Sequence, residues 1–234
     1  MPLRVLTWNL MHGRGVPGAG ADLFDEFAGE LGSWAWDVAL LQEVPPWWPE
    51  NLGAALAADW RLVLTSRNFG LPVRRGIAVR RPDLIKSNGG GANAILVRGG
   101  AGVPVEHRSL RLCWLPERRW VHAVCLAVPG HDPLWVGNLH LTVHDAPAAL
   151  REAGLAAAAT RVWAAGQPLV LGGDFNVRGL SLEGFTCAGN HDVDYVFVRF
   201  GRAGGPVDVL ERGRLSDHAP VAVTVVLERQ RRWQ

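Results

Sequence analysis

The chain has 234 residues, 48% hydrophobic and 20% charged, with a formal net charge of +2. This composition excludes a disordered chain and leaves ample length for one α/β domain with a sizeable core. The balanced charge neither requires nor excludes a nucleic-acid partner, and Lys86 is the only lysine among arginines. The three cysteines, Cys113, Cys125 and Cys187, have no metal-type spacing and read as reduced thiols. No signal-peptide pattern and no apolar run of membrane-spanning length is visible. The expectation is therefore a cytoplasmic protein, monomeric, without an obligate protein partner, and bacterial by its arginine-biased composition. Without repeats or linkers, residues 1–228 read as one domain followed by a charged tail at 229–234.

In chain order, 4–9 predicts a first strand, with Val5, Thr7 and Asn9 on one face and Leu6 and Trp8 on the other. A glycine-rich loop at 11–20 carries His12 and Arg14. Helical spacing of Leu23, Phe27, Ala28 and Leu31 predicts a helix over 22–31. A buried strand follows at 38–43 and stops before Pro45-Pro46. A helix is predicted at 47–60, with Pro49 in its first turn, then short strands at 61–65 and 76–81. A glycine run at 89–91 precedes a strand at 92–98. Three strands at 106–115, 119–128 and 134–141 read as a meander. Asp145 is an N-cap and Pro147 a first-turn residue for an alanine-rich helix ending near Ala165-Gly166. The compact run Pro168–Leu171 predicts a central strand covered on both faces. A loop then runs to Gly189, followed by strands at 194–200 and 221–227 around a glycine-rich loop. Two groups of strands separated by helices predict two packed, mixed sheets flanked by helices.

Polar residues stand at the predicted strand ends: Trp8-Asn9, Gln42-Glu43, Asn138-Leu139-His140, Asp174-Phe175-Asn176 and Ser216-Asp217-His218. Singly, each reads as well as a turn residue, a cap or a hydrogen-bonded core histidine. Together they combine oxygen ligands for a hard divalent cation, imidazoles able to move protons near neutrality, and an Asp/Asn pair able to orient a water. In an extended backbone Asp174 and Asn176 point the same way. Asp194 can orient a histidine as the acid of a triad does. Cysteine is absent from these signals, which argues against structural zinc.

The ordered series W-N, Q-E, N-x-H, G-D-x-N, D-Y and S-D-H resembles the endonuclease/exonuclease/phosphatase superfamily, and its motifs run from residue 8 to residue 218. The resemblance implies a four-layer α/β (α+β) sandwich and a metal-dependent phosphoesterase. It implies Asn9, Glu43 and Asp217 as metal-site residues for Mg²⁺, with Mn²⁺ as a substitute. His140, Asp174, Asn176, Asp194 and His218 are implied as catalytic, and Asn93 and Asn138 as substrate contacts. His140 matches the deoxyribonuclease and sphingomyelinase branches and departs from the abasic-site branch, which carries tyrosine there. The acid expected to orient His140 is not evident between 61 and 90, apart from Asp83. The expected reaction is hydrolysis of a phosphodiester, DNA first. A sphingomyelin-like lipid or an inositol phosphate is the alternative substrate, with Trp47-Trp48 as a candidate apolar lip. A non-catalytic phosphate-binding protein on the same fold is the alternative of another class.

Overall fold

The computed structural model describes residues 1–65, 68–86, 90–115 and 117–228, so the expected tail at 229–234 and part of the 89–91 glycine run lie outside the described residues. Two sheets face each other. The first contains β1 (Pro2–Asn9), β2 (Val38–Val44), β3 (Ala58–Leu64), β4 (Ala92–Arg98), β11 (Gly201–Ala203), β12 (Asp208–Val209) and β13 (Val221–Leu227). Its order is β11-β13-β1-β2-β4-β3, with β12 also on β13. The second, in order β5-β6-β7-β8-β10-β9, contains β5 (Val103–Cys113), β6 (Arg119–Ala127), β7 (Leu134–His140), β8 (Leu169–Asp174), β9 (Thr186–His191) and β10 (Asp194–Arg199). Each sheet has one parallel pair at its centre, β1 with β2 and β7 with β8, among antiparallel neighbours.

The alternation read from the sequence decides which face each side chain joins. Val5, Leu40, Ile95, Val136, Val170 and Val223 form an aliphatic slab between the sheets. Leu6, Trp8, Leu41 and Leu96 face outward, against α1 (Phe24–Ser33) and α2 (Trp48–Leu56). Trp8 packs on Phe27, and Phe27 on Trp48, at ring-centroid distances of 5.1 and 5.4 Å. On the opposite face, α5 (Ala146–Ala164) lays Ala149, Ala153 and Ala156 against Leu139, Leu171 and Phe175. The result is helices, sheet, sheet and helix: the four-layer sandwich expected.

Most predicted elements appear within a few residues of their expected bounds. Asp145 caps α5 by accepting the Ala148 N–H at 3.0 Å. The strand expected at 76–81 is instead part of helix α3 (Leu71–Arg80), followed by the one-turn α4 (Pro82–Ile85). Pro72 in its first turn and the i, i+4 pair Val73 and Ile77 fit a helix, and among the described residues no strand pairs with this segment. The helix expected over 47–60 ends at Leu56, because Ala57 turns into the left-handed region and Trp60 pairs with Leu96 in β3. The loop to Gly189 hides β9, whose residues (TCAGNH) have little β propensity.

Candidate active site

The parallel pairs put the C-terminal ends of β1, β2, β7 and β8 at one edge of the sandwich, and the polar strand-end residues lie there. Asp174 is at the centre, 1% exposed. Its Oδ2 accepts the Asn9 amide at 3.0 Å across the gap between the sheets, and its Oδ1 accepts the Asn176 N–H at 3.0 Å. The latter is an Asx turn. Asn176 sits in the left-handed region at φ 52 rather than extending the strand, so the two side chains are not parallel as extended geometry had implied. The Asn176 amide donates to Leu141 O at 3.0 Å. The approach to Asp174 depends on Gly173: with φ +140, a Cβ there would stand 2.1 Å from Leu139 O.

Two imidazoles aim Nε2 at Asp174 Oδ2, His140 at 3.6 Å and His218 at 3.8 Å. Both separations are too long for hydrogen bonds. His218 Nδ1 donates to Asp194 Oδ2 at 2.7 Å. The loop carrying His218 is fixed by Trp8 Nε1, which donates to His218 O at 2.9 Å. Ser216 Oγ completes it, donating to Asn9 O at 2.6 Å and accepting the His218 N–H at 3.1 Å. His140 Nδ1 meets a different kind of partner, the Arg119 guanidinium at 3.2 Å. A guanidinium only donates, so Nδ1 holds the lone pair and the hydrogen is on Nε2. Arg119 is itself paired with Glu117 at 3.1 Å.

These partners set the protonation states. Burial opposes charge on His218, but the hydrogen bond and charge of Asp194, with Asp174 behind, override it and raise the imidazole to about 9. Burial, then the charges of Arg119 and His218, holds His140 well below the usual imidazole value. Burial and the Asp194 charge push Asp174 up to about 7, against the pull of His218, Asn9 and the Asn176 N–H. Burial also pushes Asp194 upward. At neutral pH the site thus presents one carboxyl poised to lose or take a proton, one cationic donor and one neutral donor.

Glu43, at the end of β2, has φ 48 and turns its carboxylate into the cleft, Oε2 3.1 Å from His12 Nε2 and Oε1 3.9 Å from His140 Nε2. Asp174, Asp194 and His218 each present a ligand atom within 4.8 Å of the others. Carboxylates and imidazoles without a thiolate fit a hard or borderline divalent ion. The residues present therefore suit a metal-assisted hydrolase.

The sequence matches the model of the Endonuclease/Exonuclease/phosphatase family over residues 6–218. The chain belongs to this family. Solved structures of similar fold include the endonuclease/exonuclease/phosphatase from Beutenbergia cavernae, at 19% identity and TM-score 0.74, covering 97% of this chain and 72% of that one. The Bacteroides thetaiotaomicron mannosyl-6-phosphatase is 18% identical with TM-score 0.70, covering 96% and 100%. TDP2 from Caenorhabditis elegans is 17% identical with TM-score 0.70, covering 96% and 74%. No curated protein matches the sequence. The family's members are hydrolases of phosphoester bonds.

Within the family frame, Glu43, His140, Asp174, Asn176, Asp194 and His218 converge on one cleft. Other expected positions fall differently. Asn9 Oδ1 accepts the Met11 N–H at 2.9 Å and keeps one lone pair, while its Nδ2 braces Asp174. Asp217 is exposed beside His218, outside the Asp174, Asp194 and His218 cluster. Asn138 is fully buried, donating to Leu41 O and Ala94 O at 2.9 Å and accepting from Gln42 Nε2 at 2.8 Å. It joins the sheets and presents nothing to a substrate. Asn93 is also fully buried, but unlike Asn138 neither its Oδ1 nor its Nδ2 finds a hydrogen-bond partner in the protein. Asp83 accepts the Gly20 N–H at 2.6 Å, so it is not the partner of His140. Trp48 belongs to the core, whereas Trp47 lines a 370 Å³ groove with Pro46, Leu71, Pro72 and Arg75. Sequence reasoning missed Arg119: one arginine in Arg118-Arg119 at a strand start carries no signal that it will meet a histidine on the neighbouring strand.

Proposed function

We propose that the protein is a metal-dependent phosphodiesterase and that its substrate is a nucleic acid, DNA first. The observation that carries the reading is Asp174, near neutral in its proton affinity, with an Nε2 of His140 and of His218 on either side. Asp174 takes the proton of the attacking water, and Asn176 braces the turn that holds it. His140 and His218 donate to the phosphoryl oxygens as charge develops on them, and His218, the cationic one, is placed to give its proton to the leaving oxygen. Asp194 holds His218 in register. Glu43 would hold the ion, Mg²⁺ or Mn²⁺, which supplies charge neutralisation at the phosphate.

A nucleic-acid substrate is favoured by the hairpin of β5 and β6, whose second strand begins at Arg119. Trp114 near its tip is 59% exposed, with Arg111 3.2 Å and Arg118 5.6 Å from its ring centre. An aromatic face among guanidiniums suits bases and phosphates. A lipid phosphodiester is the second reading, favoured by the exposed Phe69, Val73 and Leu84 around α3 and α4, on the side of the Trp47 groove. Purified protein is to be assayed against DNA, RNA, sphingomyelin vesicles, small phosphodiesters and phosphomonoesters, with Mg²⁺, with Mn²⁺ and with chelator. Cleavage of nucleic acid that needs the ion is the expected result. Hydrolysis of monoesters alone overturns the diester reading, and binding without turnover overturns catalysis.

A further inference from the structure

Three imidazoles edge the cleft, and their hydrogen-bond partners leave them unequal as ligands. His140 faces a donor at Nδ1, so its Nε2 carries hydrogen and has no lone pair to offer. His218 has the same kind of support, Nδ1 on Asp194, but its Nε2 stands 3.8 Å from Asp174, the proposed water-activating carboxylate, whereas His12 stands against Glu43. His12 is the reverse of His140. Its Nδ1 lies 3.1 Å from Gly90 O, and a carbonyl only accepts, so Nδ1 carries the hydrogen. Its Nε2 stands 3.1 Å from Glu43 Oε2, which also only accepts, so an ion between the two takes the place of the proton they otherwise share. A main-chain carbonyl that fixes the ring through its other N–H is the usual support of a metal-binding histidine.

The local backbone points the same way. His12 and Glu43 are both non-glycine residues in the left-handed region, at φ 56 and φ 48. Such conformations persist where the surroundings over-determine them, and they cluster at ligand clamps. The next residue, Gly13, has φ +73, and a Cβ on it would stand 2.5 Å from the Trp48 ring, so the turn bearing His12 is seated against the core. The 3.1 Å between Nε2 and Oε2 also suits an ion: adjacent donors around an octahedral cation with bonds of about 2.1 Å stand about 3 Å apart.

The geometry points to His12 as a ligand, beside Glu43, of a divalent first-row transition ion. Mg²⁺ prefers an all-oxygen shell and gains little from imidazole, whereas the transition ions gain much more. A shell of Glu43, His12, water and substrate oxygen therefore favours Mn²⁺ and its neighbours over Mg²⁺. The inference rests on the metal-dependent reading above, but its readout involves no turnover.

Full-length protein loaded with one equivalent of Mn²⁺ is to be measured by electron spin-echo envelope modulation. Wild type is expected to show ¹⁴N modulation from a directly bound imidazole, and His12→Gln to lose it. His140→Gln and His218→Gln are expected to keep it, which makes the assignment by elimination should His12→Gln fail to fold. In competition titrations, the preference for Mn²⁺ over Mg²⁺ is expected to fall at least about tenfold in His12→Gln. Failure to bind Mn²⁺, bound Mn²⁺ without ¹⁴N modulation in wild type, modulation that survives in His12→Gln, or its loss in either of the other variants overturns the assignment. Mn²⁺ seen in an all-oxygen shell, with ion-dependent cleavage intact, would remove His12 and leave the proposed reaction standing.

Discussion

The two halves of the cleft use the same side chain in opposite ways. On one side of Asp174, His218 rests on a carboxylate, Asp194, at 2.7 Å, and is held as a cation to about pH 9. On the other, His140 rests on a guanidinium, Arg119, at 3.2 Å, and is held neutral with its hydrogen on Nε2. Both arms aim an N–H at the same place, but only the His218 arm has a proton to give away. The lesson is that a histidine's role lies in the partner of its far nitrogen, which a motif such as N-x-H does not contain.

The harshest way to break this arrangement is to remove what both arms address. Asp174→Asn is expected to abolish turnover in both arms together, a loss at or above the roughly 10²–10⁴-fold typical of a general base, and single-turnover assays on folded protein check it. Chelation of the ion is expected to act as strongly, restored by Mn²⁺ or Mg²⁺; full activity after exhaustive chelation would take the metal out of the reaction.

Breaking one arm comes next. His218→Ala is expected to cost roughly 10²–10⁴-fold in rate, and Asp194→Asn less, because the imidazole remains but is poorly oriented. The rate should follow a bell in pH, rising as Asp174 ionises through about 7 and falling as His218 deprotonates through about 9. Because the groups interact, these limbs belong to the site as a whole. The same pair leaves a mark on stability. The folded-state value of His218 is raised, so its contribution is complete below the ordinary imidazole value of 6.5 and is lost as pH rises through about 9. Melting curves across that window should show the decline in wild type and little of it in Asp194→Asn. If His218→Ala melts early yet turns over normally while folded, the asymmetry is structural and not catalytic.

The other arm offers a smaller and sharper test. Arg119→Gln keeps a donor but can also accept, which frees the His140 tautomer. A loss of about tenfold is expected, together with a change in the ¹⁵N shifts of the His140 ring that a merely structural arginine would not cause. The smallest catalytic effect is expected at Asn138→Leu, which strands Gln42 and two carbonyls. That should lower stability by about 1–3 kcal/mol, read in urea melts, with turnover per folded molecule nearly unchanged.

The two sheets and most strands were legible because alternation is a local property: Leu6 and Trp8 go one way, Val5 and Thr7 the other, whatever the rest of the chain does. Glu43, Asp174, Asn176, Asp194 and His218 were legible because each falls in a short motif whose order along the chain carries the family resemblance. What escaped was relational. Arg119 meets His140, and His12 meets Glu43, only because strands and loops distant in sequence end side by side. Asn138 and Asn93 looked like cleft residues because their positions along strands near the site were readable, while the depth at which each side chain stops was not. Segment 71–80 misled because the short stretch 76–81 is compatible with either period, and only its exclusion from the sheet decides it.

The slab between the sheets is aliphatic, and such a plane resists sliding poorly, since its attraction has no direction. Gln42 and Asn138 interrupt it as dowels interrupt a joint. Their bonds to each other and to Leu41 O and Ala94 O tolerate only a fraction of an ångström of shear before they fail. Glu43 follows the first dowel directly and His140 follows the second by two residues. Asn9 Nδ2 on Asp174 Oδ2 is a further bond between the sheets, so alignment of the metal side with the proton-handling side is latched redundantly and outlasts the loss of a dowel.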